Sequence, residues 1–592
     1  MGSRVRAIAL VLALGLTGAC ASVPTGGPVL TGHALEDSDP LSDPYVRMIA
    51  KPPQPGATEK DIVEGFLRAS ASLDRDQAVT RKYLAGGLPR SWRPNGRVTV
   101  YDSPDDYDLR VLATKSSSAG RAATVELSAK HVADISPDGD YVATNTRTVK
   151  ERFQLTNVRG QWRITGLPPD ALEGLLLSRR DVTRAYRPLN LYFYDTRRQT
   201  LVPDPVMVPV QARSELATTL VRSLLRGPTA WLSPAVRTTF PSGTTLRGSA
   251  PLNGGTVTVN LGGAVAGRSS AELSMMAAQL VWTLRQLPEM RQLHLQINGT
   301  TVDVPGGSGD GGTLQRTDFS DRDPSGLQGG ESQPYFIRDG RLYLLAGAKE
   351  TPADGPAGSG VASLRHPAVS FDQAWAAALS DKSDRLYVAG LSDGGKLVER
   401  YRGKAVTPPS YDRYGDVWFA DRRDSDSSDV YLLDRNMTRH TVTSDFLNSS
   451  DVHALRVARD GTRVAALVGE GKTSKIMIGP IIWSGGGKVQ IGRMRQVGTD
   501  LAQVSDIAWR DADTLVALGQ GPRGAVQPYT VPANGTQASA TGYAGPEART
   551  ITAAPQSAPL LVGTGPGEIW RGAQDNNNWQ RSTEGTDPAY PG

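Results

Sequence analysis

The sequence contains one cysteine, Cys20, in 592 residues. Arg4 and Arg6 precede an apolar run from Ala7 to Leu16, and the small residues Thr17, Gly18 and Ala19 lead up to the cysteine. A basic start, a short apolar core and a small-residue cleavage site make a secretory signal. The apolar run is too short to cross a hydrocarbon core of ~30 Å as a helix. Cut before Cys20, the chain would begin with a thiol that a diacylglyceryl group can alkylate. Two acyl chains such as palmitate anchor durably where one binds marginally. Leu16 lies four residues before the cysteine, and Thr17 fills the place where such a lipobox usually has leucine. Cys20 is therefore expected to be the lipidation site, with residues 1–19 as signal peptide and the mature protein held outside the cytoplasm at the membrane.

Other groupings carry the right residue types in the wrong context. Gly390-Leu391-Ser392-Asp393-Gly394 matches the Gly-x-Ser-x-Gly elbow of hydrolases, which requires a helix after the serine. Here Lys396 to Arg400 reads as a strand, and Asp393-Gly394 is a hairpin turn. Gly469-Glu470-Gly471-Lys472-Thr473 ends like a phosphate-binding loop, but Ala466 replaces its first glycine and a strand comes next. Asp424, Asp426 and Asp429 lack the glycine and the distal glutamate of a calcium loop. Six histidines show no ligand spacing, and one cysteine cannot build a multi-thiolate zinc site. No catalytic residue, metal or cofactor is called for, and the chain is expected not to be an enzyme. No pair of carboxylates stands out, although any two can converge in a fold.

At this length several domains are expected, each held by burial rather than by disulfides. The net charge of +5 is spread along the chain. It fits an anionic surface better than nucleic acid, which the compartment also disfavours. Residues 20–58 are rich in Pro, Gly, Ser and Asp, as in a flexible tether. From 59 to 187 two helices (Ile62, Val63, Phe66 and Leu67 on one face of the first) precede strands at Arg97–Tyr101, Ala122–Lys130, Tyr141–Leu155 and Trp162–Thr165. That order is α+β and resembles an NTF2-like cone. Residues 188–305 alternate strands with two amphipathic helices. This unit resembles the GerMN domain, through Leu225-Arg226-Gly227-Pro228, Pro241-Ser242-Gly243-Thr244, Val259-Asn260-Leu261, Ala278 to Leu284 and Ile297-Asn298-Gly299. Where that family usually has aspartate, this chain has Asn260.

Residues 306–330 read as a Gly/Ser/Asp linker, expected to let the first two domains fold without the C-terminal remainder of the chain. From 331 to 592 apolar strands recur at Trp375–Leu379, Val417–Phe419, Val464–Leu467, Leu515–Leu518 and Leu560–Val562, several after acidic turns. The spacing is that of four-stranded blades, and a ring of about six hides its sheet edges. Trp375, Trp418, Trp483, Trp509, Trp570 and Trp579 are expected mainly to pack the blades, an exposed minority contacting a partner.

The multidomain α+β plus all-β order, behind an anchor, resembles the actinobacterial LpqB lipoprotein family. The resemblance implies an accessory role beside the extracellular domain of an MtrB-type sensor histidine kinase, affecting two-component signalling, cell envelope and division. The alternative is an envelope hydrolase or glycan-binding protein that uses the propeller channel. Clustered buried carboxylates in the channel would favour the enzyme, and an exposed apolar patch at a domain junction would favour the partner.

Overall fold

The computed structural model describes residues 49–592 apart from 74, 103–106, 118–119, 198, 211–212, 327–331, 523, 556–557 and 573–577. Cys20, the signal and most of the tether lie outside the described residues.

The N-terminal domain begins with the helix Glu59–Ser70, started by a capping box in which Thr58 and Asp61 satisfy each other's backbone N–H. Its apolar face, Ile62, Val63, Phe66 and Leu67, is buried against Val125, Leu127, Phe153 and Leu155 of a curved sheet. In that sheet the strands run in the order Gln161–Gly166, Tyr141–Val158, Gly120–Ile135, Arg97–Tyr101 and Gly174–Ser178. Helices first and an antiparallel sheet afterwards is the α+β order expected. Two strands carry no clear pattern in the sequence: Asp108–Ser117, on the outer half of Gly120–Ile135, and Gly174–Ser178, which runs parallel to Arg97–Tyr101. The parallel pair demands two glycines. A Cβ on Gly96 would lie 1.7 Å from the Glu173 carbonyl oxygen, and one on Gly174 would lie 1.9 Å from that of Arg97.

The second domain packs the helices Arg213–Arg226 and Ser270–Leu284 against two sheets. One holds the hairpin Tyr186–Asp195 with Leu201–Pro209; the other pairs Thr256–Gly262 in parallel with Gln292–Ile297. Gln279, fully buried in the second helix, ties it to both neighbours: its amide donates to the Tyr192 carbonyl at 2.7 Å, and its carbonyl accepts from Thr239 N at 2.8 Å. Asn260 accepts from Gly299 N at 2.9 Å, fixing the left-handed Asn298-Gly299 turn. That turn needs an acceptor and no charge, so the exchange from aspartate loses nothing.

The expected linker is in large part folded. Thr313–Gln315 adds a strand beside Gln292–Ile297, with Leu314 buried, and Asp318 accepts hydrogen bonds from Ser308 and Gln315. The run of Gly, Ser and Asp hides one apolar anchor and a set of side-chain-capped turns.

Six blades come after it among the described residues, matching the expected architecture. The five recurring apolar strands are each the second strand of a blade: Trp375–Ser380, Val417–Asp424, Arg463–Val468, Thr514–Gln520 and Leu561–Thr564. The first blade is completed from the far end of the chain, where Thr586–Ala589 pairs antiparallel with Tyr335–Arg338 as its innermost strand. Val489–Ile491 pairs with strands of both the third and the fourth blade and merges them into one nine-stranded sheet.

One apolar core runs through the second domain and the fourth and fifth blades. Leu216, Leu220 and Leu284 belong to the same contiguous cluster as Ile476, Val497, Ile507 and Val531. The first two domains are thus not independent of the propeller as the linker had implied: without it, this shared apolar surface would face water.

Ring closure depends on Tyr590, buried beside Phe336 and Ile569 and donating from its hydroxyl to the Pro559 carbonyl at 2.9 Å. Tyr590→Ala is expected to destabilise the propeller by about 3–5 kcal/mol, as truncation of other buried aromatics does. Chemical denaturation of the full chain reads this out; an unchanged midpoint would mean the closing strand contributes little.

Candidate functional site

All six innermost strands face a central channel that encloses a cavity of about 80 Å³. Its charged lining consists of His366, Arg456, Arg459, Asp506 and Asp587. Inner strands bulge to aim these groups. His366 and Asp587 both have left-handed backbone (φ 48° and 50°) at interruptions of strand pairing, and His366 Nδ1 lies 3.0 Å from Asp587 Oδ1. Burial raises the Asp587 carboxyl, but the hydrogen bond and charge of His366 outweigh it and leave it below its usual range. Arg456 Nη2 sits 3.3 Å from Asp506 Oδ1, and its other nitrogens donate to the carbonyls of Ile507, Pro408 and Leu455. Burial raises Asp506 against the charge of Arg456 and the N–H groups of Ile551 and Ile507. Arg459 donates to the Pro591 carbonyl at 2.8 Å, and burial pushes its guanidinium down to about 10. The channel therefore holds two buried carboxylates, one beside the His366 imidazole and one beside the Arg456 guanidinium.

A second constellation lies where all three domains meet. The hairpin Ser136–Asp140 of the first domain, the Thr229–Trp231 segment of the second and strand Arg495–Val497 of the fourth blade converge on Arg495. This guanidinium is buried, 2.5 Å from Asp140 Oδ1 and 3.0 Å from the Ala533 carbonyl, and it stacks 3.7 Å above the Trp231 ring. Trp231 Nε1 donates to the Arg493 carbonyl at 2.9 Å, and Asp138 accepts from Ala230 N at 3.1 Å. Gly139 fits between: it is left-handed (φ 93°), its carbonyl accepts from Met207 N at 2.8 Å, and a Cβ would meet Val206 at 3.0 Å. Behind Arg495 lies Asp204, with 1% exposure, accepting from Thr229 N at 2.6 Å and Thr229 Oγ1 at 2.9 Å. Two further seams join the second domain to the propeller. Tyr414 donates to Asp195 at 2.5 Å beneath the Arg197 guanidinium, and Asn190 donates to Asp513 at 2.6 Å.

The sequence decoys resolve as turns. Gly390–Gly394 joins antiparallel strands Arg385–Gly390 and Leu397–Arg402, and Gly471–Thr473 is one helical turn between Arg463–Val468 and Lys475–Trp483. Asp429 pairs with Arg423 and accepts from the Tyr431 hydroxyl, while Asp424 pairs with Lys404 at 3.5 Å. Among the described residues, no three His, Cys, Asp or Glu side chains are grouped to hold a metal ion. Trp418 and Trp509 are buried in the blades, and Trp375 is 45% exposed. Sequence reasoning missed Arg495, Asp140 and Asp204. The available signal was Asp204 itself, a charge inside the otherwise apolar strand Leu201–Pro209.

An N-terminal α+β domain, a spore-germination-type domain and a closed six-bladed ring define a three-domain class, and comparison with known families gives the same division. The profile described as "Lipoprotein LpqB, N-terminal domain" matches residues 52–183, "Sporulation and spore germination" matches 190–303, and "Lipoprotein LpqB beta-propeller domain" matches 340–591. A lipoprotein LpqB of Thermobifida fusca is 36% identical, with 98% of this chain and 97% of that protein covered. Those of Streptomyces coelicolor and Streptomyces avermitilis are each 31% identical, covering 98% and 100% of this chain and 96% and 99% of theirs. The chain belongs to the lipoprotein LpqB family.

Arg495→Gln is expected to cost about 2–3 kcal/mol, because it leaves the partly buried Asp140 without its partner. Denaturant unfolding checks it, and a loss below about 1 kcal/mol would remove the pair from its structural role. Burial pushes the Asp204 carboxyl up to about 7 against the hydrogen bonds from Thr229. An unfolded aspartate ionises near ~3.9. Between those values the native state keeps a proton that the unfolded chain has lost, so this group's contribution to stability is full below about pH 4 and is lost as pH rises toward 7. Asp204→Asn is expected to flatten that slope in urea midpoints measured against pH; an unaltered slope would rule out Asp204 as its source.

Proposed function

We propose that the chain is a lipid-anchored extracytoplasmic accessory protein. It binds the extracellular domain of an MtrB-type sensor histidine kinase and biases that kinase's signalling, with consequences for cell envelope and division. The observation that carries a binding role is the three-domain junction: a buried Arg495 holds the domains as one body whose outer surface can impose a geometry on a partner. The signal and lipobox-like approach to Cys20 support the anchor, as do relatives named as lipoproteins. Among the described residues no helix is long and apolar enough to cross a membrane. The kinase partner and its two-component output rest on the family resemblance.

The mechanism is a shift of population. A ligand moves a two-state kinase only as far as it binds one state better, and carrying it from 1:99 to 99:1 takes about 10⁴-fold preference. The rival reading, a hydrolase or glycan-binding protein working through the channel, finds less support. The channel carboxylates already have partners in His366 and Arg456, and the cavity of about 80 Å³ falls below the roughly 300–1,000 Å³ of pockets that engulf drug-sized ligands. An exposed apolar patch at a domain junction would have favoured the partner reading, and the apolar surface between the second domain and the propeller is instead covered by the protein's own domains. A partner would dock on the outer faces, where Trp375, Phe446 and Tyr543 are among the exposed large apolar side chains.

Two measurements test this. Cys20→Ala is expected to leave the protein soluble after a high-salt wash of membranes, where the native protein needs detergent for release; retention of the variant would refute the anchor. The purified kinase sensor domain is expected to bind the immobilised full chain saturably, and an unrelated sensor domain is not. Equal or absent binding of both would end the kinase reading.

A further inference from the structure

Between Gln77 and Tyr101 the sequence has several basic residues and no acidic one. The fold gathers this run at one end of the N-terminal domain. Arg81 lies over the Trp92 ring at 5.3 Å and donates to the Pro89 carbonyl at 2.5 Å, which sets it beside Arg90 and Arg93. Arg93 Nη1 donates to the carbonyls of Arg90 and Ser91 at 3.0 and 3.1 Å. Ala85 N donates to the Ile164 carbonyl at 2.8 Å, which brings in Arg163, itself held by the Trp162 carbonyl and the Gln161 side chain. These guanidiniums are fixed by neutral acceptors. Among the described residues the ion pairs include none made by Lys51, Arg81, Lys82, Arg90, Arg93 or Arg163. The cations therefore stand at least partly exposed without a carboxylate ion pair, with Asp76 and Glu173 at the margin of the surface.

The same end receives the chain from its N-terminal side. The Tyr83 hydroxyl donates to the Lys51 carbonyl at 2.8 Å, and Ala50 and Ala57 pack against the domain core. Lys51 follows Cys20 by 31 positions (51 − 20). Fully extended, such a stretch reaches at most ~110 Å.

We infer that this basic surface rests on anionic membrane lipid, as a second contact that orients the domain while the acyl anchor holds it. The inference rests on Cys20 being the anchor, which keeps the basic end within tether reach of the bilayer. Charge complementarity calls for an anionic surface, and chain entry at the same end favours lipid over an anionic wall polymer. A lipid modification plus a basic patch is a combination that holds a protein stably at a membrane. Attraction to a charged bilayer falls off within about 8 Å at physiological salt, so only residues lying on the surface contribute.

The test uses the full chain carrying Cys20→Ala, so no acyl chain takes part, sedimented with phosphatidylcholine vesicles with and without phosphatidylglycerol. Binding is expected to the phosphatidylglycerol vesicles alone and to weaken with added salt. Adding Lys82→Gln, Arg90→Gln and Arg93→Gln is expected to weaken partitioning by roughly fivefold per charge removed. The control Arg222→Gln, Lys472→Gln and Lys488→Gln removes the same charge elsewhere and is expected to bind as before. No binding to anionic vesicles, equal loss in both triple variants, or binding to wall polymer without binding to vesicles would each overturn the inference. Failure here with loss of the Cys20→Ala protein from salt-washed membranes would leave the anchor standing and remove only the patch.

Discussion

Everything about this molecule's shape turns on how it keeps Arg495 buried. A guanidinium taken out of water costs several kcal/mol unless its charge and donors are matched. Here the groups that offset the cost come from different domains: a carboxylate from the first, an aromatic face from the second and a backbone carbonyl from the propeller, while Nε is left without an acceptor. No two domains can rotate against the third without breaking part of that set. The pair need not make the protein more stable than an apolar junction of the same volume would. What it adds is a single permitted arrangement, because a sliding apolar interface has many near-equivalent registers and this one does not.

Around that point the rest of the architecture is cooperative. The closing strand Thr586–Ala589 joins the far end of the chain to its first blade, so the ring exists only once the whole propeller sequence between them is in place. The second domain shares its core with the fourth and fifth blades, and the Tyr414–Asp195 contact pins another rim of the same face. In the channel His366 is paired with Asp587 and Arg456 with Asp506, while Arg459 is held by the Pro591 carbonyl. The proposed binding role draws on the outer surface, where a rigid body can favour one geometry of whatever it touches.

Much of this is legible in the chain itself. The second strands of five blades are largely buried and read as plain apolar runs, so the repeat follows from them, while the first blade, closed by a strand from the far end of the chain, adds none to that series. Inner strands such as Ser410–Tyr411 and Thr586–Ala589 are short, carry polar groups toward the channel and have no such signature. Thr313–Gln315 is lost in a Gly-rich stretch because one buried leucine is a weak signal against composition. The decoys at Ser392 and Lys472 are resolved by the strand after each, a local property. The Arg495 constellation is not, since Asp140, Trp231 and Arg495 are far apart in sequence and each alone looks like a surface residue. Long-range pairing of charges has no periodicity to betray it.

The claim on which the account stands is that three domains form one body. With Cys20 as the sole native cysteine, replacing it by alanine leaves a background for paired labels at Thr165→Cys in the first domain and Ser425→Cys in the third blade, both exposed positions. Pulsed electron–electron resonance of spin labels at this pair measures the distribution of the distance between the two domains. A single narrow distribution, broadened when Arg495 is replaced by glutamine, is the result this structure predicts. A broad or multiple distribution in the native background would show domains moving independently and would contradict it.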